Sequence, residues 1–347
     1  MARLAVETVR LELGAPVRSA WGELRFRDLL RVRLEFGGDD WGEGEAAPLE
    51  PYDGVPLAAA RAALDAYGAV LEGVDADATH AEVIARCAAE RPLPQALAAV
   101  DLALWDRAGR AAGVPVARLL AAAGAADSVQ VNATVGAEDR AGAARAAARA
   151  VEAGFGCVKL KVGVGDDGGR VAAVRAAVGP RIALRADANG AWTSAEEALA
   201  NLRVLVAADL ELCEEPVHGV AALRAVRMAS PVPIAMDETG AEPGAAGSGA
   251  ADAVCLKVAR CGGLSGLLAD AESARAAGSA VYVASTFDGP LGIAAGLHAA
   301  AALAATGPLA PCGLATLDAF ADPSARPDVL RPRGGAMRVP AGPGLLG

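Results

Sequence analysis

Three acidic and three basic side chains recur at the ends of short apolar runs in one half of this 347-residue chain. They are Lys159 and Lys161 in VKLKVG, Asp187 in LRADANG, Glu214 in LCEEP, Asp237 in AMDET and Lys257 in CLKVARCGG. From Lys161 onward the intervals are 26, 27, 23 and 20 residues. An interval of that length holds one strand, one helix and two loops, the repeat of a parallel β/α barrel. Residues that close such strands stand at the carboxyl rim, where barrel enzymes keep their chemistry. Three carboxylates gathered there cannot all stay ionised without a cation between them. Oxygen ligands with no histidine or cysteine nearby favour Mg²⁺, or Mn²⁺, over zinc. Three protein ligands leave positions for water and for a bidentate substrate carboxylate. Asn189, Glu238 and Arg185 stand close enough in sequence to orient those ligands.

Lys159 and Lys161 are two apart on one strand, so both face the interior, while Val158, Leu160 and Val162 face out. At ~6 Å and an effective dielectric of ~20, one ammonium disfavours its neighbour by ~2.8 kcal/mol, or ~2 pKa units. That shift brings a lysine towards the range of a general base. Lys257 approaches from the opposite side. The set is suited to making and holding an enolate. One such acid alone is usually a helix cap or loop carboxylate, and one K-x-K a solvated edge strand; the ordered set carries the reading.

Two units position these residues. In the first, about 1–120, Leu30, Val32, Leu34 and Phe36 alternate with Arg31, Arg33 and Glu35, the period of a half-buried antiparallel strand. Gly37–Gly38 ends it and WGEGEAAP returns the chain. Helices are expected over 56–71, 79–90 and from Pro94 to a stop at Gly113, giving an α+β unit. From Ser128 strands alternate with helices: SVQVNAT, CVKLKV, IALRAD, LELCEE, PIAMDE, AVCLKV and AVYVAS, with an eighth strand near PLAPCGL. The fold class is therefore α/β, a barrel over 121–319 with an α+β partner. Residues 239–251 are too glycine-rich for a confident helix, and 320–347 read as a tail returning to the first unit.

The formal net charge of −10 argues against nucleic acid and anionic membranes as partners. An anionic substrate then needs local lysines or a metal. The six cysteines form no C-x-x-C pair, and Cys157, Cys213 and Cys255 fall in buried strands as packing residues. No apolar signal core opens the chain, so a reducing cytoplasm is expected. Gly289–Leu317 lacks formal charge but is rich in Ala and Gly and broken by prolines, which fits a buried helix better than a membrane span.

The ordered motifs KLKVG, RADANGAW, EEP, MDET and LKVARCGG, with WGEGEAAP and LALWDRAGRAAGVPVARLL upstream, resemble the enolase superfamily, in its muconate-lactonizing-enzyme-like subgroup. The resemblance spans nearly the whole chain. It implies a capping domain on a modified (β/α)7β TIM barrel, and Mg²⁺ on Asp187, Glu214 and Asp237. It also implies Lys161 and Lys257 as acid/base groups, Lys159 beside the substrate carboxylate, and an ene-diolate intermediate. Neither His80, His218 nor His298 ends the seventh strand, which disfavours the mandelate-racemase-like branch. ASTFDGPLGIAAGLHAAAAL and PCGLATL are similar to segments of the o-succinylbenzoate synthases, dehydratases of menaquinone synthesis. Asp318 and Asp322 do not make the D-x-D of dipeptide epimerases. N-acylamino-acid racemase, dipeptide epimerase and muconate cycloisomerase remain the alternatives, and a non-catalytic binding barrel is the remote one. A small carboxylate substrate is expected to lie under cap loops Ser19–Gly22 and Pro48–Gly54. Trp21 and Tyr52 would lie above it and Ser285, Thr286 and Gly313 below. Self-association is left open.

Overall fold

The computed structural model describes residues 2–19, 22–121, 124–136 and 138–347. Its first unit is a three-stranded antiparallel meander, β1 (Arg3–Ser19), β2 (Gly22–Gly37) and β3 (Asp40–Ala46). Helices α1 (Glu50–Asp53), α2 (Leu57–Leu71), α3 (His80–Glu90), α4 (Pro94–Ala112) and α5 (Val116–Leu120) follow. The alternation in β2 does its expected work. Leu30, Val32 and Leu34 are fully buried against Leu64, Tyr67 and Leu71 of α2 and Val100 of α4. Thr79 and Glu82 form a reciprocal capping box on α3, and Gly113 ends α4 in the left-handed region. The close approach of β3 to α4 requires glycine, because a Cβ on Gly44 would lie 2.0 Å from the carbonyl oxygen of Ala99.

The second unit contains β4 (Ser128–Gln130), β5 (Ala133–Val135), α6 (Arg140–Glu152), β6 (Cys157–Lys161), α7 (Asp167–Val178), β7 (Ala183–Asp187) and α8 (Ala195–Leu205). It continues through β8 (Leu212–Glu214), α9 (Val220–Ala229), β9 (Ile234–Met236), β10 (Ala253–Leu256), α10 (Leu264–Ala276), β11 (Ala280–Val283), α11 (Pro290–Thr306) and β12 (Ala336–Arg338). Strands β5 to β11 form one parallel sheet in chain order. Cys312 and Gly313 close it: Gly313 N–H donates to Val283 O at 2.8 Å and Asn132 N–H to Cys312 O at 2.9 Å. The eighth strand is thus reduced to two bridging residues. The barrel has the (β/α)7β plan with short 3₁₀ turns at Glu238–Ala241 and Ala246–Ser248 where glycine discourages a helix.

One expectation needs correction. SVQVNAT is not a single barrel strand: β4 pairs antiparallel with β12 of the tail, and only β5 joins the parallel sheet. The tail also touches the first unit, with Ala321 N–H donating to Glu12 O at 2.8 Å and Leu345 N–H to Asp106 at 2.7 Å. Among the described residues no helix is long and apolar enough to cross a membrane. Within the buried helix α11, His298 accepts from Ala117 N–H and its other ring nitrogen lies 2.9 Å from Leu345 O, while burial lowers its pKa to about 4.

Buried polar groups lock the cap to the barrel. Asp101 of α4 accepts from Leu264 N–H at 2.6 Å, at the start of α10, and from the Ser265 hydroxyl at 2.6 Å. Arg27 of β2 donates to Pro48 O, Ala47 O and Phe287 O, and Glu45 of β3 accepts from Gly289 N–H at 2.6 Å. Burial, then the nearby Asp288, pushes the Glu45 carboxyl up to about 8. A carboxyl that holds its proton more tightly when folded contributes full stability below its unfolded pKa, and the contribution is lost as pH rises through the folded value. The wild type should therefore lose stability relative to Glu45→Gln between about pH 5 and pH 8, by more than ~1 kcal/mol. Urea denaturation across that range checks this, and parallel pH profiles would contradict it.

Candidate active site

Strand register builds the rim. Lys161 of β6 is paired with Asp187 of β7, and Asp187 with Glu214 of β8. Asp237 follows β9 directly, and Lys257 follows β10. Lys161 Nζ donates to Asp187 Oδ2 at 2.8 Å and to Asn189 Oδ1 at 2.6 Å. Lys159 Nζ lies 2.9 Å from the same Asp187 oxygen and 3.1 Å from Glu214 Oε1. On the far side Lys257 Nζ donates to Asp237 Oδ1 at 2.6 Å. All three acids are at most 1% exposed.

The electrostatics reflect this crowding. Burial and Asp187 push Glu214 up to about 7, and burial and Asp237 push Glu238 up to about 8. Burial alone would raise Asp187 as well, but Lys159 and Lys161 bring it down to about 2. Burial likewise opposes ionisation of Asp237, yet Lys257 and Arg260 hold it well below the usual range. Of the two lysines on β6, Lys159 is not the one brought down. Burial lowers its pKa, but Asp187 and Glu214 outweigh that and hold it well above the ordinary lysine value. The carboxylates that Lys159 touches outweigh repulsion within its own strand.

Asn189 and Glu238 meet at 2.8 Å, so Asn189 links Lys161 to Glu238. Arg185 lies elsewhere. It faces the interior beneath the rim, bonding Glu211 at 2.5 Å and Pro311 O at 2.7 Å, and its route to Glu214 runs through Tyr282. The Tyr282 hydroxyl donates to Glu214 Oε2 at 2.6 Å. Tyr52 of α1 reaches the rim from the cap. Its hydroxyl donates to Asp237 Oδ1 at 2.9 Å and accepts from Lys257 and Arg260, both at 2.6 Å. Ser285, Thr286 and Gly313 line one cavity with Lys159, Lys161, Asp187, Asp237, Lys257 and Tyr52, about 70 Å³ in volume. The Ser285 hydroxyl meets Thr316 at 2.9 Å, and Thr286 bonds Asp288. Trp21 lies outside the described residues. His218 is not among the cavity-lining residues; it pairs with Glu215 at 3.0 Å, and that bond raises its pKa.

Three contributors escaped sequence reasoning. Arg260 stood inside LKVARCGG, three residues after Lys257, and bonds Asp237 at 3.0 Å. Tyr282 sits three residues before the end of the AVYVAS run, a position compatible with facing inward. Cys255 corrects the expectation of an all-oxygen neighbourhood, because its Sγ and one oxygen each from Glu214 and Asp237 lie within 4.8 Å of one another. Linear distance from the acids concealed it.

The carboxylate donors fit a hard divalent cation. Raised pKa values at Glu214 and Glu238 mark a surplus of negative charge, and lysine ammonium groups neutralise part of it.

Two family models match the chain. "Mandelate racemase / muconate lactonizing enzyme, N-terminal domain" matches residues 2–121, and "Enolase C-terminal domain-like" matches residues 142–346. An o-succinylbenzoate synthase of Thermobifida fusca is 41% identical over 204 residues, 55% of this chain; the alignment spans only 60% of that relative. A hydrophobic dipeptide epimerase of Enterococcus faecalis is 30% identical across 86% of both chains. The crystal structure of a dipeptide epimerase from Enterococcus faecalis, complexed with Mg and the dipeptide L-Leu-L-Tyr, superposes with a TM-score of 0.87. It is 25% identical and the match covers 99% of this chain and 98% of that one.

The two adjacent acids of EEP have separable roles. Glu214 faces the lysines, whereas the buried Glu215 carboxylate accepts from Asp237 N–H at 2.7 Å and Thr239 N–H at 2.9 Å, fixing the turn that carries Asp237. Glu215→Ala should cost about 2–3 kcal/mol by orphaning those buried donors. Glu214→Gln, which removes a charge without removing a support, should cost less. Urea midpoints compare them, and equal losses would count against the distinction.

Proposed function

Because the chain belongs to the mandelate racemase/muconate lactonizing enzyme family of the enolase superfamily, we propose that it abstracts the proton α to a substrate carboxylate with Mg²⁺ bound, most specifically as an o-succinylbenzoate synthase. The observation that carries the chemistry is the cavity itself, with Lys161 on one wall, Lys257 on the other and Asp187 and Asp237 between. Asp187, Glu214 and Asp237 would hold the metal. When bound, Mg²⁺ supplies positive charge to the carboxylate oxygens that gain electron density as the α-proton leaves.

Lys161, oriented by Asp187 and Asn189, takes the α-proton in its neutral form. The electron pair left behind spreads over the substrate carboxylate as an ene-diolate, beside the ammonium of Lys159. Lys161 then returns the proton to the leaving hydroxyl: the C–O bond breaks, water departs and a new C=C bond remains. Lys257 contributes positive charge across the cavity. Loop residues Ser285, Phe287 and Thr316 and cap residues Val17 and Leu49 line the cavity with no formal charge. Neither Asp318 nor Asp322 lines it, which favours a substrate without an ammonium group over a dipeptide.

A second reading, N-acylamino-acid racemase, draws on the placement of lysines on both walls, since racemisation needs a proton acceptor on one face and a donor on the other. The wild type should turn over the menaquinone precursor more efficiently than any N-acyl amino acid in a side-by-side assay. Efficient enantiomer interconversion without dehydration would favour the racemase.

Asp187→Asn should abolish turnover and lower Mg²⁺ affinity at least tenfold by calorimetry, with the fold retained by circular dichroism. Full activity in excess chelator would remove the metal assignment. Lys161→Ala should abolish both turnover and exchange of the substrate α-proton with deuterated solvent. Lys257→Arg, which keeps the cation, should be less damaging than Lys161→Arg, whose guanidinium stays protonated. Near-wild-type exchange in Lys161→Ala would make another group the base.

A further inference from the structure

We propose that Cys255, Glu214 and Asp237 form a mixed thiolate–carboxylate site for a borderline divalent cation of the zinc class, sharing two acids with the hard-cation site. The three residues come from adjacent strands or strand ends, and one donor atom of each lies within 4.8 Å of the other two. All are buried, with Cys255 and Glu214 fully enclosed and Asp237 1% exposed. That geometry allows a single ion to be reached from all three.

The thiol is a free donor. The Sγ atoms of Cys157, Cys213 and Cys312 each have an oxygen acceptor, at 3.8, 3.9 and 3.6 Å. Cys255 Sγ has no hydrogen-bond partner among the described residues, although two carboxylates flank it. The same acids already attract positive charge. Lys159 Nζ is 3.1 Å from Glu214 Oε1, and Lys257 Nζ is 2.6 Å from Asp237 Oδ1. An entering divalent ion would displace those ammonium heads from the shared oxygens. Lys159 keeps Asp187 as a partner and Lys257 keeps the Tyr52 hydroxyl. On the other flank, Tyr282 holds Glu214 Oε2 and limits that side chain's rotation.

Donor chemistry then selects the ion. Mg²⁺ and Ca²⁺ prefer oxygen, whereas zinc-class ions gain strongly from a sulfur ligand. On binding, the thiol releases its proton to solvent and coordinates as thiolate; water completes the set. Because Glu214 and Asp237 are shared, zinc-class ions and Mg²⁺ should compete for the protein. The inference does not depend on which reaction the family member performs.

Cobalt(II) is the probe. One equivalent added to metal-free protein should produce a near-ultraviolet thiolate-to-cobalt charge-transfer band in wild type but not in Cys255→Ala or Cys255→Ser. Excess Mg²⁺ should diminish the band. No band in wild type, or equal bands in both variants, would overturn the site; a band insensitive to Mg²⁺ would overturn the shared ligands. X-ray absorption at the zinc edge needs only wild type, so it stands even if the variants do not fold. One sulfur neighbour at about 2.3 Å is expected, and a shell of oxygen and nitrogen alone refutes the proposal. Failure here leaves Mg²⁺-dependent proton exchange untouched, and failure of that exchange leaves the cobalt band readable.

Discussion

Bringing Asp187, Glu214 and Asp237 together out of water concentrates negative charge where little solvent is present to screen it, and the surroundings are arranged to contain that charge. Lys159, Lys161 and Lys257 each donate into the acids, and Arg260 and Tyr52 complete the enclosure around Asp237. Neighbouring parallel strands alone would not make this arrangement tolerable. The register aligns Lys161 with Asp187, and Asp187 with Glu214, so that opposite charges meet without long excursions. The charged groups that line the rim and the groups that make their burial tolerable are largely the same atoms.

The cap belongs to this balance as well. Tyr52 places a hydroxyl between Lys257, Arg260 and Asp237, so part of the rim's polar network comes from a different unit of the chain. Its position is transmitted through the buried contacts of Arg27, Glu45 and Asp101 with the loop after β11 and the start of α10. A shift of the cap therefore changes the company of a rim carboxylate as well as the room above it.

Much of this was legible in the sequence because the barrel repeats. Interval and strand-end position identified the six charged residues, and the period-two pattern identified β2, since both depend on local geometry. Residues brought close only by closure of the sheet were harder to find. Cys255 looked like strand packing, and its proximity to Glu214 depends on a turn of the barrel that no local pattern records. Arg260 and Tyr282 belonged to short segments already noted, but their hydrogen bonds cross strands or units. SVQVNAT misled because a β-rich run does not declare its partner, and its first half pairs with residues some 200 positions away. The lysine pair was only half legible for a similar reason: repulsion within one strand was visible, attraction across strands was not.

The two-residue closure at Cys312 and Gly313 divides the circumference unequally. The acids and two of the lysines stand on the broad arc β6–β9, where each strand is laced to both neighbours. Ser285, Gly313 and Thr316 stand beside the narrow seam, where a few backbone bonds join the ends. A substitution at the seam disturbs few inter-strand bonds, while the arc holding the charged groups keeps its alignment. The cavity is therefore walled on one side by closely laced, charge-bearing strands and on the other by a loosely stitched seam without formal charge.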